Sequence, residues 1–281
     1  MSGLTGRRAA GLFMLIVLVQ PASPSARLPA QQVAPNRATA YLFTTEVRDA
    51  RAIWVNPAGL GALRDASIYA ETSVGDPGSK GKLRQINAGF NARGLSFGYQ
   101  HDVLDDGLRG NTYRLGIAGG SGGLALGADV ARYAGSGTKA TGWDIGTTYV
   151  ALPPLTVGIL ASNIGQPVVR GIQQPFTFVP GFTWRPFSAF SFSTDARLTT
   201  DSVASYSFGL SWKSGMQGWP LALLARLDTD GDLRRGAFTF GLSVGARDQF
   251  GLMMTTPGDA AGIDQASLYG LSSREAVGGR R

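Results

Sequence analysis

The sequence predicts an all-β chain that crosses a membrane as a barrel of about fourteen antiparallel strands. Three observations predict it. Charged residues fill only 16% of the 281 positions while 40 are glycine, well below the roughly 25% charge of a water-facing domain. From Ala66 to Leu271, large apolar residues alternate with glycine, serine, threonine and alanine, the period-two mark of a strand with two different faces. Short and long connections take turns between these segments, as they do in outer-membrane barrels.

Composition also removes whole classes of chemistry. The chain has no cysteine and a single histidine, His101. Disulfides, thiol catalysis, iron–sulfur clusters and sites needing two imidazoles are excluded. No cofactor and no metal site is expected.

The N-terminus reads as a secretory signal. Arg7 and Arg8 precede the apolar run Ala9 to Val19, which is too short to cross a bilayer but fits a signal core. Pro21, Pro24 and small residues follow, with cleavage after Ala30 or near Ser25. A signal peptide over 1–30 carries Arg7, Arg8 and Arg27 away. That leaves 23 of the 26 basic residues against 19 acidic ones, so the formal charge of +7 falls to +4. The basic residues are scattered, and no nucleic-acid partner is expected.

The barrel body spans 66–272. Alternation places strands over 66–74, 83–92, 95–100, 112–118, 124–133, 142–150, 155–162, 176–184, 189–198, 204–213, 221–227, 237–246, 250–255 and 266–272. In one of them Tyr206, Phe208, Leu210 and Trp212 alternate with Ser205, Ser207, Gly209 and Ser211. Glycine, β-branched and aromatic residues speak against helix in such runs. The second face carries small residues rather than Lys and Glu, which suits a crowded lumen better than water. Trp143, Trp184 and Trp212 fall near strand ends, where interfacial aromatic girdles sit. Long connections are expected at 75–82, 101–111, 134–141, 163–175, 228–236 and 256–265, and an even strand count puts both chain ends in the periplasm. Residues 273–281 form a C-terminal tail.

Motifs with catalytic look-alikes do not hold up. Gly119-Gly120-Ser121-Gly122-Gly123 matches a nucleophile elbow, but that mechanism needs a strand-to-helix turn and a histidine after the serine. The segment also fits a dinucleotide fingerprint through Ala125, without a helix to hold a pyrophosphate. His101, Asp102, Asp105 and Asp106 cluster in one predicted outer loop, leaving a surface hydrolase as a remote alternative. Asp228-Thr229-Asp230-Gly231-Asp232 resembles half of a calcium loop, yet Leu233 and Thr239 stand where glycine and a bidentate acid belong. No catalytic residue is assigned.

Three charges on predicted lumen faces form a different kind of group. If hairpins close about residues 121 and 137, Arg114, Asp129 and Asp144 come level on neighbouring strands. An unpaired buried charge costs several kcal/mol, so these three are expected to pair as a structural ionic cluster.

Residues 31–65 lack alternation and precede the first strand. Within them, Ala50-Arg51-Ala52-Ile53-Trp54-Val55-Asn56-Pro57-Ala58-Gly59-Leu60-Gly61 resembles the N-terminal signature of the FadL/TodX outer-membrane transport superfamily, including its PorV/PorQ branch. The resemblance implies a fourteen-stranded barrel in the bacterial outer membrane whose N-terminal segment folds into the lumen as a plug. Asn56, Pro57, Ala58 and Gly59 are the plug-motif residues: Asn-Pro favours a turn, and Ala-Gly permits close backbone packing. The chain is shorter than fatty-acid transporters and lacks a terminal aromatic residue, which favours a PorV/PorQ-like member. The resemblance implies passage of small hydrophobic molecules, or alternatively a secretion-associated barrel that binds exported proteins. Outer-membrane lipids are expected partners in either case.

Overall fold

A computed structural model describes residues 39–62, 65–75, 81–103, 108–216, 219–257 and 262–275. Residues 1–30, expected to be a signal peptide, residues 31–38, Asp105, Asp106 and the tail beyond Glu275 lie outside the described residues. The alternating segments form strands β1 (Asp65–Gly75), β2 (Lys82–Ala92), β3 (Leu95–Val103), β4 (Arg109–Ser121), β5 (Leu124–Gly135), β6 (Thr138–Leu152) and β7 (Leu155–Ile164). A two-residue pair, β8 (Val168–Val169) and β9 (Ile172–Gln173), makes a small separate hairpin. The chain continues with β10 (Thr177–Phe187), β11 (Phe190–Thr199), β12 (Val203–Lys213), β13 (Leu221–Asp230), β14 (Arg235–Val244), β15 (Asp248–Pro257) and β16 (Gln265–Glu275).

All strands except β8 and β9 pair antiparallel with their chain neighbours, and β1 pairs with β16 to close a barrel of fourteen strands. Closure leaves no unpaired edge, so every strand's backbone groups are satisfied within the wall.

The two faces of the wall reverse the logic of a water-soluble core. Ile117 is 65% exposed and Leu126 57% on the outside, whereas Asp102 and Asn87 are fully buried on the inside. In water the outside would be one continuous apolar band. The protein is a β-barrel of the outer membrane. At the end with short turns, Phe187 lies opposite Phe190 and Phe190 opposite Trp212. Toward the other end Tyr99 faces Tyr113, with ring centroids 5.4 Å apart. Outward aromatic residues of this kind are characteristic of membrane barrels.

Several connections differ from the expectation. The predicted loop 134–141 is a tight turn at Ser136-Gly137, because Gly135, Ser136 and Gly137 all take positive φ and let β5 and β6 pair out to Gly135 and Thr138. The connection 200–202 is also short, and 214–220 is long at the short-turn end. His101 and Asp102 are not in a loop but in β3, which extends to Val103. Asp228 likewise belongs to β13 rather than to a calcium-like loop. At the C-terminus, β16 incorporates Ser273 and Arg274, shortening the expected tail.

Candidate functional site

The barrel interior holds the chain's own N-terminal segment. Asp49 caps a short 3-10 turn (Ala50–Trp54) by accepting from Arg51 N at 2.9 Å. Asn56 caps a second (Pro57–Gly61), its Oδ1 accepting from Ala58 N at 3.1 Å. Pro57 takes the first position of that turn, where a missing N–H is not needed. Phe43, Ala50, Ala52, Ile53, Ala58 and Leu60 are completely or almost completely buried, and their surroundings are inward-facing wall residues.

The Asn-Pro-Ala-Gly residues meet that wall at glycines. Asn56 Nδ2 donates to Thr44 O at 3.1 Å within the segment and to Thr147 O of β6 at 3.4 Å. A β-carbon on Gly146 would stand 1.8 Å from Asn56 Oδ1, and one on Gly127 would stand 2.4 Å from the Pro57 carbonyl. Gly59 lies against the Val47 carbonyl inside the segment. Further round the wall, Phe43 occupies the space above Gly209, and Trp54 the space above Gly98.

Two arginines on opposite walls hold the segment in the same way. Arg114 of β4 donates to Ile53 O at 3.3 Å and lies over the Trp54 ring at 5.4 Å. Arg226 of β13 donates to Leu42 O at 2.5 Å and lies over the Phe43 ring at 4.6 Å. Each grips a carbonyl and the aromatic residue that follows it. Arg114 is held in turn by Asp129 at 2.8 Å and Asp144 at 2.5 Å, and Asp144 also accepts from Asn163 N. Arg226 is held by Asp228, which also accepts from Ser207 Oγ. A third tie runs from Thr44, whose N and Oγ1 both donate to Asp195 of β11 at 3.0 and 2.7 Å.

The sequence reading brought Arg114, Asp129 and Asp144 together but missed Arg226, Asp228 and Asp195 as segment contacts. Their signal is charge at lumen-facing parity, Arg226 with Asp228 on β13 and Asp195 with Arg197 on β11. Asp230 Oδ1 accepts from Asp232 N and Arg234 N, so its role is to cap a turn. Among the described residues, no three acidic or histidine side chains converge as a metal site.

On the short-turn side of the segment, Asp49 and Arg51 pair at 2.7 Å. Arg51 also donates to Tyr41 Oη at 3.0 Å and lies over the Tyr269 ring. Burial pulls the Asp49 carboxyl up, but the Arg51 guanidinium and its hydrogen bonds outweigh this and leave it below the ordinary carboxylate value.

At the opposite mouth the β8–β9 hairpin tucks inward. Val169 is buried with Ala131 and Tyr133, and Arg170 reaches Asp102 at 3.5 Å. Asp102 also accepts from Gln85 and Gln100 at 2.7 and 2.9 Å. His101 points the other way, to the outer face, where its Nδ1 and Tyr99 Oη both meet Asn111 Oδ1 at 2.9 Å. Neighbouring residues on a strand face opposite sides, so His101 and Asp102 cannot form a catalytic pair.

Cavities lie on either side of the segment. One, of about 430 Å³, faces the β8–β9 hairpin and is lined by Arg114, Asp144, Asp195, Arg197, Arg226 and Asp228 beside Trp54 and Tyr133. The other, of about 370 Å³, opens at the short-turn end. Its deeper wall carries Tyr41, Leu42, Leu224, Met253, Tyr269 and Leu271.

With this geometry in place, solved structures decide the fold type. The toluene transporter TbuX of Ralstonia pickettii matches with a TM-score of 0.53 at 13% identity, over 80% of this chain and 92% of that one. The toluene transporter TodX of Pseudomonas putida matches with a TM-score of 0.52 at 11% identity, over 81% and 94%. This chain has the fold of those transporters. At such identities the likeness is one of fold, and it bears on the TodX side of the resemblance rather than on the PorV/PorQ branch. No protein-family model and no curated protein matches the sequence.

Proposed function

We propose that the protein is a gated outer-membrane channel for small hydrophobic molecules, with the segment over 39–62 as its plug. The observation that carries this reading is the cavity between plug and wall, where Leu42, Leu224, Met253, Tyr269 and Leu271 form an apolar patch beside the charged Arg48, Asp49, Arg51, Arg185 and Lys213. Its volume of about 370 Å³ falls in the range of small-molecule sites. The fold shared with two toluene transporters supports the same substrate class. In this reading Asn56 to Gly59 seat the plug on the wall, and Arg114, Asp129 and Asp144 are a structural cluster that holds it, since arginine supplies no proton-transfer group near neutral pH.

Polar ties suit a gate. Hydrogen bonds and ion pairs hold a defined closed position, and each contributes only a modest net free energy, so the plug can move without unfolding the wall. Cells expressing the protein should take up radiolabelled toluene several-fold faster than cells lacking it, with sucrose permeation at background. Toluene uptake equal to that of the lacking cells would overturn the substrate class, and open sucrose permeation would overturn the gate.

A further inference from the structure

The outward face where the first and last strands meet carries a groove of about 600 Å³. Ala70, Ala88 and Gly270 form its floor, and Ile68, Phe90 and Phe250 rise beside it. Gly270 lies level with both Phe250 and Ala70, and Ala70 with Ala88, so the floor crosses the strands sideways. From β15 to β3 it spans four strand spacings, roughly 19 Å. The wall beneath is unbroken: β1 pairs along its length with β16 and from Ala66 to Gly75 with β2. The groove is therefore a trough in the lipid face and leads nowhere into the lumen.

One end of the trough is polar. Asp248 accepts from Ser272 Oγ at 2.7 Å, and Arg274 holds it through both terminal nitrogens at 2.9 and 3.0 Å. The pair is half exposed, 56% for Arg274 and 55% for Asp248. A charge pair on the outside of a barrel is tolerated at headgroup depth and becomes costly toward the midplane. This end is also the short-turn end, the periplasmic one in barrels of this kind. The trough thus begins among the headgroups of the phospholipid leaflet and runs into hydrocarbon.

We propose that the trough binds one zwitterionic phospholipid, phosphatidylethanolamine, from the periplasmic leaflet. An extended acyl chain lies on the small-residue floor, held by dispersion contacts with Ile68, Phe90 and Phe250, because between apolar surfaces in a bilayer shape complementarity is what distinguishes a site from bulk lipid. The headgroup carries its two charges at the spacing of a salt-bridged pair. Arg274 retains unused N–H donors for the phosphate, and Asp248 retains lone pairs for the ammonium. A second barrel would meet the ridges of Ile68, Phe90 and Phe250 first and leave the trough empty, so a slender chain is the better fit. The site is independent of what passes through the lumen.

Delipidated full-length protein, mixed with phosphatidylethanolamine or phosphatidylglycerol in detergent, tests this by native mass spectrometry. The unaltered protein should retain one phosphatidylethanolamine in preference to phosphatidylglycerol. Gly270→Leu should lower that occupancy about tenfold. A β-carbon there meets nothing nearer than the Phe250 ring at 3.6 Å, so the wall accommodates it, and Ala88→Leu is a second filling variant. Asp248→Asn should abolish the preference between the two lipids, while Ala161→Leu on the outward face of β7 should change nothing. Equal occupancy in the filled variants, no preference in the unaltered protein, or dimers in place of lipid adducts would each overturn the proposal.

Discussion

Asn56 Oδ1 stands 1.8 Å from the point where Gly146 would carry a β-carbon. Asn56 and this wall glycine therefore fit closely together, and the same holds for Pro57 against Gly127. Replacing Gly146 by valine should unseat the segment while the strands persist, at an overpacking cost of about 1–3 kcal/mol. Planar-bilayer recordings should show higher conductance for Gly146→Val than for the unaltered protein. The same conductance in both would mean that the contact does not hold the plug.

Arg114 and Arg226 grip the segment alike but differ in what they leave behind. Arg114→Met strands the buried Asp129 and Asp144, a loss of about 3–5 kcal/mol when a buried pair is broken from one side. Arg226→Met leaves Asp228, which is 30% exposed and can be solvated. Thermal unfolding of the two variants should show the larger loss for Arg114→Met. Adding Asp129→Asn and Asp144→Asn to it should restore much of the stability, because no uncompensated charge then remains.

Removing residues 39–62 should give a leaky barrel that still folds. The wall's hydrogen bonds close on themselves without the segment, and a fourteen-stranded wall encloses more space than its own side chains fill. Retained heat-resistant mobility on gels with raised conductance is the expected outcome. Unchanged conductance would make the segment a tether.

Acid should loosen the short-turn side of the segment. The Asp49 carboxyl is depressed in the folded protein, so its contribution is fully present above the unfolded value of about 3.9 and is lost as pH falls through the lower folded value. Hydrogen-exchange protection of the backbone around Asp49 and Arg51, corrected for the intrinsic rate at each pH, should be constant from neutral pH down to about pH 5 and fall only below about pH 4. Asp49→Asn should remove that step; its persistence would assign the acid response to another group.

Gln173 is exposed on the β8–β9 hairpin, at the end opposite the short turns. A single cysteine there should react with a membrane-impermeant reagent on intact cells. Protection on cells and labelling only after lysis would invert the barrel.

The strands could be read from the sequence because the lipid face and the lumen face demand different chemistry at alternate positions. The meeting of Arg114 with Asp129 and Asp144 could be read for the same reason, since parity fixes the face and the turns fix the height. The grip of Arg226 on Leu42 and Phe43 could not, because the segment has no periodicity from which its path could be drawn. Asp102 was misplaced in a loop because β3 runs beyond its apolar alternation. Its partner Arg170 lies in a polar connection that gives no sign of turning inward.

The seam between β1 and β16 runs in register from Asp65 opposite Glu275 to Gly75 opposite Gln265. Of the wall's pairings it joins the residues farthest apart in the sequence, so it bears the largest loop-closure entropy among them. The other neighbouring strands lie close together along the chain, and the circumference is built from local hairpins; this one long-range join turns a curved sheet into a vessel.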